Sequence, residues 1–261
     1  MINVHSHNND KYSKYLKYKQ KYLSLTKQYG GRITNEQESI ADGAGVILAE
    51  YYENKHNDSP NTKINIALIL FKNSKSNMFD VLGGHKDPTD PSTKHTAIRE
   101  AKEESANTIR LSTSSLNSSN AIMHSHNNHN YACYFVGIKQ FKPSYYRHNL
   151  KLLQNTAKTI DHVWLETNDV TRVYIESFIK SGGLTKHGNL MLYDVNDKLI
   201  TITDKTKSCI REALNYGILP DPTKKSQNGT LSFINLRVDH SYEPKNIKEL
   251  FLSNTKCFYT H

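Results

Sequence analysis

The chain has 261 residues and a formal net charge of +9, with an isoelectric point near 9.2. It is long enough for one sizeable domain with an appendage and basic enough to favour a polyanionic partner. No apolar stretch approaches the roughly 20 residues that cross a bilayer, which argues against a transmembrane segment.

The three cysteines, Cys133, Cys209 and Cys257, are odd in number and widely spaced. Together with the polar start Met1-Ile2-Asn3-Val4, they point to free thiols in a reducing, intracellular setting, the cytoplasm. Lysine, asparagine, tyrosine and isoleucine are all abundant and all favoured by AT-rich codons, so charge alone does not choose the partner.

Residues 10–29 place Tyr15, Tyr18, Tyr22, Leu25 and Tyr29 at alternating spacings of three and four, with lysines between them. This spacing predicts a basic amphipathic helix closed by Gly30-Gly31. Such a helix can bind RNA, lie on anionic lipid or dock on its own domain, and the Lys-Tyr-x-Lys-Tyr-Leu phrasing resembles N-terminal segments of giant DNA virus proteins. Three parts are expected: a helical extension over 1–40, a main domain over 41–219 and an appendage over 220–261.

Strand-like runs follow at Val46–Tyr52, Ile64–Phe71, Phe79–Leu82, Tyr131–Ile138, Val163–Leu165 and Leu190–Tyr193. Helices are expected at Ser92–Asn107, Thr167–Lys180 and Lys205–Tyr216. The interleaving predicts an α/β fold with a mixed sheet covered on both faces. Beyond it lie a further strand at Leu231–Val238 and a short helix at Asn246–Leu252, with no assigned role.

The chemistry is concentrated in residues 83–104, where Gly83-Gly84 precedes an acid-rich helix. At about 100° per residue, Ala97, Ile98, Ala101 and Ser105 fall on one side, while Arg99, Glu100, Glu103 and Glu104 crowd the other. Three glutamates at i, i+3 and i+4 repel one another by a few tenths of a kcal/mol per pair. A divalent cation removes that penalty, and clustered carboxylate oxygens suit Mg²⁺ or Mn²⁺, which share their remaining positions with water and phosphate.

The segment resembles the Nudix box, Gly-x5-Glu-x7-Arg-Glu-apolar-x-Glu-Glu-x-Gly-apolar. Gly84 fits the first glycine, Arg99-Glu100-Ala101-x-Glu103-Glu104 fits the catalytic core, and Asp90 stands at the first glutamate. Three departures are visible: eight residues rather than seven separate Asp90 from Arg99, Ala106 replaces the last glycine, and Asn107 replaces the final apolar residue. Over about residues 41–217 the resemblance implies a Nudix-type α/β/α sandwich and a hydrolase that cleaves a pyrophosphate bond in a nucleoside diphosphate-linked substrate.

The resemblance also assigns roles. Glu103 and Glu104 are the principal ligands of Mg²⁺ or Mn²⁺, and Glu100 is a further ligand or the base that orients water. Arg99 holds the cluster in register, with Asp90 positioning it from the lengthened loop. Gly84 offers its carbonyl, and Lys86 touches phosphate. A second base is often found outside the box, for which Asp161 and Glu166 are the candidates.

Three substrates remain open: the 5′ cap of mRNA, free nucleotide derivatives and diphosphoinositol polyphosphates. A basic extension beside a Nudix domain resembles the decapping enzymes of large DNA viruses, which favours capped RNA as partner. The competing class is a catalytically silent RNA-binding module. The oligomeric state is open.

Other motifs carry less. Ile98-Arg99-Glu100-Ala101 recurs as Ile210-Arg211-Glu212-Ala213, without a second glutamate pair or a glycine turn, and reads as an ordinary amphipathic helix. The Ser112–Asn130 stretch reads as a loop. Its His124, His126 and His129 are too loosely set for a metal site, and the His-Ser-His-Asn-Asn of residues 5–9 repeated at 124–128 marks low-complexity drift. Trp164, the only tryptophan, suits a core position better than a stacking one.

Overall fold

Alternating apolar runs assemble into a mixed sheet flanked by helices in the computed structural model. It describes residues 31–32, 38, 40–53, 64–126, 129–157, 166–185, 188–223, 230–231 and 233–234. The helix expected over 10–29, the Val163–Leu165 strand with Trp164, Asp161 and the Asn246–Leu252 helix lie outside these residues.

In chain order the elements are β1 (Gly31–Arg32), β2 (Gly43–Glu53), β3 (Ile64–Asn73), β4 (Phe79–Asp80), β5 (Leu82–His85), α1 (Thr93–Glu104), β6 (Ala121–His126) and β7 (His129–Ile138). Then come α2 (Pro143–Ala157), β8 (Thr167–Tyr174), α3 (Ile175–Lys180), β9 (Leu190–Tyr193), β10 (Leu199–Ile202), α4 (Asp204–Asn215) and β11 (Phe233–Ile234). The strand order is β1-β6-β7-β2-β3-β4-β10-β9, with β5 on β2, β8 on β3 and β11 on β7.

The centre of the sheet splits, and this split builds the site. One edge of β2 serves two partners: Leu48–Glu53 pair with β3, whereas Gly43–Val46 pair with β5. The other edge runs parallel to Tyr131–Ile138 of β7. The β4–β5 segment thus fills the gap where β2 and β3 part, and it sets Gly83 opposite Gly45 and Gly84 opposite Ala44.

Period-two alternation sorts side chains onto two faces. Val46, Leu48 and Phe71 join Ala97 and Ala101 of α1 and Tyr146, Leu150 and Leu153 of α2 in one apolar cluster. Ile47, Ala49, Leu68 and Leu70 join Ile175 and Phe178 of α3 and Cys209, Ile210, Ala213 and Leu214 of α4 in the other. Helices therefore cover both faces of a mixed sheet, as expected of an α/β chain.

Three expectations are corrected. Thr167–Lys180 is helical only from Ile175; its first half is strand β8, because Val170, Thr171 and Val173 are β-branched and pair along β3. The Ser112–Asn130 stretch is not all loop. Ala121-Ile122-Met123 are buried in β6, which forms a hairpin with β7, so His124 and His129 stand on paired strands. Finally, α2 occupies a segment with no element assigned to it, although Tyr146, Leu150 and Leu153 stand at i, i+4 and i+7 and are all buried.

Helix α2 is clamped at its start. Arg172 Nε donates to Glu50 Oε2 at 2.6 Å, the Phe141 N–H donates to Glu50 Oε1 at 2.8 Å, and Arg172 Nη2 donates to the Phe141 carbonyl at 2.5 Å. Glu50 is buried, so this pair, satisfied on both sides, ties β2 and β8 to the chain entering α2.

Candidate active site

Helix α1 carries its acids toward the split in the sheet. Its last turn ends at Glu104, and Ala106 and Asn107 follow in left-handed conformation, at φ 52° and 61°. Ala106 thus adopts, at the box's second glycine position, a backbone conformation that glycine enters most readily.

Arg99 gathers the surrounding acids. Its Nη1 donates to Glu100 Oε1 at 2.8 Å and to Glu103 Oε2 at 3.1 Å, and its Nη2 donates to Asp90 Oδ2 and to the His85 carbonyl, both at 3.0 Å. The lengthened loop reaches Arg99 because it is folded by its own bonds: the Asp87 N–H donates to Asp90 Oδ2 at 3.0 Å, and the Asp90 N–H donates to the Asp87 carbonyl at 2.9 Å. Burial raises the Asp90 carboxyl, but the Arg99 hydrogen bond, the Asp87 N–H and the Arg99 charge together outweigh this and hold it below the ordinary carboxylate range. Arg99 loses solvent in the same way, yet Asp90, Glu100 and Glu103 hold its proton more tightly than usual.

Glu100 and Glu104, each 6 % exposed, converge with Glu166, which precedes β8 and is exposed. Carboxylate oxygens of these three lie within 4.8 Å of one another, and among the described residues no other trio of His, Cys, Asp or Glu does so. Burial, with repulsion from Glu103 and Glu166, pushes the Glu100 carboxyl up to about 7 despite Arg99. Burial and then the charges of Glu100 and Glu166 raise Glu104 as well.

The glycine turn is fitted to these carboxylates. The Gly83 N–H donates to Glu104 Oε2 at 2.5 Å. A Cβ on Gly84 would stand 2.5 Å from Glu100 Oε1, so a side chain there would push that carboxylate aside. Cβ atoms on Gly45 or Gly83 would stand 2.4 Å from the Leu82 carbonyl oxygen and 2.6 Å from the Ala44 carbonyl oxygen, respectively, and within 2.0 Å of the Tyr131 hydroxyl. That hydroxyl is buried with no hydrogen-bond partner among the described residues. Lys205 lies over the Tyr131 ring, 4.6 Å from its centroid, with its ammonium 3.4 Å from Asp80.

A relay of hydroxyls fixes Glu166 relative to α1. Tyr146 of α2 donates to Thr167 Oγ1 at 2.8 Å, and Thr167 Oγ1 donates to the Glu104 carbonyl. The Ser74 N–H donates to the Glu166 carbonyl at 2.8 Å. The residue after Glu166 is thereby bolted to the end of the helix that supplies Glu100 and Glu104.

The residues singled out in the sequence are placed unequally. Glu100 and Glu104 belong to the convergent trio with Glu166, whereas Glu103 is turned to Arg99. Gly84 borders Glu100. Lys86 is half-buried and held through its backbone N–H, which donates to the Asp42 carbonyl at 2.8 Å. Lys205, Tyr146 and Thr167 have no motif signal. The repeated Arg211-Glu212 lies in α4, where Arg211 Nε stands 3.3 Å from Glu212 Oε1, away from any acidic cluster among the described residues.

Hard carboxylate oxygens, two of them on side chains whose proton affinity is raised first by burial and then by neighbouring carboxylates, form a donor set that suits a hard divalent cation. Among the described residues no helix is long and apolar enough to cross a membrane. No protein-family model matches the chain, and no curated protein matches it significantly.

Proposed function

We propose that this chain is a Nudix hydrolase, dependent on Mg²⁺ or Mn²⁺, that opens a pyrophosphate bond in a nucleoside diphosphate-linked substrate, with the 5′ cap of mRNA as its preferred target. The observation that carries the reading is the convergence of Glu100 and Glu104 with Glu166, a residue outside the helix, beside a glycine turn that leaves room for them.

Glu100, Glu104 and Glu166 would hold the ion, in place of the Glu100, Glu103 and Glu104 set suggested by the box alone. A bound divalent cation supplies charge neutralisation on the phosphate oxygens. Arg99 and Asp90 keep Glu100 in place, and Glu103 completes that ion-pair group. Glu166 is the exposed member of the trio, and in this reading one of its oxygens would face the ion while the other accepts a proton from attacking water. Water oxygen then bonds to phosphorus, the bridging P–O bond breaks, and its electron pair leaves with the departing phosphate group.

The test is hydrolysis of capped RNA beside nucleotide sugars, diadenosine polyphosphates and diphosphoinositol phosphates, with and without Mg²⁺. Metal-dependent release of methylated guanosine diphosphate, fastest from capped RNA, is expected. Faster cleavage of another substrate overturns the cap assignment. No cleavage of any of them, with RNA still bound, identifies a silent module.

A further inference from the structure

The chain has 25 acidic residues, yet none falls between Glu104 and Asp161. Within that interval α2 and its approach carry Lys139, Lys142, Arg147, His148 and Lys151, all exposed. Arg147, His148 and Lys151 lie within about 100° of helix surface, opposite the buried Tyr146, Leu150 and Leu153. None of the five forms an ion pair among the described residues. Lys142 instead lies 5.5 Å from the centroid of the Tyr145 ring, a cation beside an aromatic face.

A solvated charged face ordinarily mixes both signs; this one does not. The opposite, buried face of the same helix is fixed to the frame of the candidate active site, because Tyr146 donates to Thr167, which donates to the Glu104 carbonyl. A cluster of three carboxylates repels a polyanion, and cations on the adjoining helix offset that repulsion and steer the polyanion toward the cleft.

We infer that the exposed face of α2 is a docking surface for the phosphate backbone of single-stranded RNA, and that it holds the body of a substrate whose 5′ end enters the carboxylate site. The inference rests on the RNA part of the reading above, but the docking does not require turnover.

The experiment uses the full chain and the triple variant Lys142→Gln, Arg147→Gln, Lys151→Gln, with the charge-preserving Arg147→Lys, Lys151→Arg as control. Binding of a capped RNA of about 30 nucleotides is measured in EDTA across a salt series, with hydrolysis of free cap dinucleotide measured separately. Removing one cation that neutralises a phosphate lowers the slope of log affinity against log salt by about 0.7 for single strands. The triple variant should therefore bind at least tenfold more weakly at about 50 mM salt, with a slope shallower by about 2. Cap dinucleotide hydrolysis should stay unchanged, and the control should bind as the parent does.

Unchanged RNA affinity and slope in the folded triple variant overturns the inference. So does loss of binding to phosphatidylserine vesicles with RNA binding intact, which assigns the face to a lipid surface. If the parent cleaves no pyrophosphate while the triple variant still loses RNA, the hydrolase reading fails and the docking surface stands.

Discussion

Helix α1 turns its charges inward and helix α2 turns them outward, and the two meet at the same threonine. In α1 the carboxylates of Glu100 and Glu104 are buried against a glycine turn, where desolvation and the charges of neighbouring carboxylates raise their proton affinity. In α2 the cations stand in water, where each contributes little to stability but adds to a long-range field. Burial makes one set of charges costly to ionise and intolerant of change. Exposure makes the other additive, screened by salt and replaceable one charge at a time.

The sharpest break of this contrast is in α1. Glu104→Gln or Glu166→Gln should lower turnover by roughly a thousandfold with circular dichroism unchanged. Near-normal turnover in both folded variants removes the site assignment. Next comes Gly84→Ala, whose methyl collides with the Glu100 carboxylate rather than with backbone. A displacement near 1 Å should cost about a hundredfold in kcat, and wild-type kcat would show that Glu100 has slack.

On the α2 side the expected effects are smaller and depend on ionic strength. Raising salt from about 50 to 200 mM should reduce kcat/KM for capped RNA at least tenfold more than for cap dinucleotide, as measured by initial rates on both. Equal salt sensitivity would place the recognition in the cleft alone.

The smallest effect is in stability. The Glu100 carboxyl, raised from the ordinary glutamate value to about 7, keeps its proton longer in the folded chain than in the unfolded one. The folded state therefore binds more protons between about pH 4.5 and 7, and stability of metal-free protein falls as pH rises through that window, by on the order of 1 to 3 kcal/mol. Thermal melts in EDTA should show a lower Tm at pH 7.5 than at pH 5.5, and Glu100→Gln should flatten the difference. A melting temperature that rises with pH in EDTA contradicts the burial of that carboxylate.

Helix α1 was legible in the sequence because its spacing and its glycine turn are local. Gly84, Arg99, Glu100 and Glu104 were all named from that one segment. Glu166 was visible only as one of two candidate bases outside the box, beside Asp161, since its approach to Glu104 depends on a fixed contact between Thr167 and the end of α1. The exchange of Glu103 for Glu166 in the trio has the same cause: helical periodicity shows which acids share a side, not which of them Arg99 captures. Strand β8 was hidden because Thr167–Tyr174 runs directly into a helical turn, and pairing with β3 overrides a weak local preference. Strand β6 was hidden because its buried Ala121-Ile122-Met123 is only three residues long within a serine- and asparagine-rich run.

The turn where Gly45 faces Gly83 also sets which changes the chain can accept over time. A side chain at either glycine meets backbone carbonyl oxygens, of Leu82 or of Ala44, as well as the Tyr131 hydroxyl. Trimming Tyr131 would clear only one of those obstacles, so no second substitution at that tyrosine rescues a first at either glycine. The Tyr131 hydroxyl has no hydrogen-bond partner among the described residues, so phenylalanine can replace it there without orphaning one. Sequence drift at this crossing is therefore one-sided: the tyrosine can lose its hydroxyl while keeping the ring that Lys205 lies over, whereas the two glycines cannot gain a side chain.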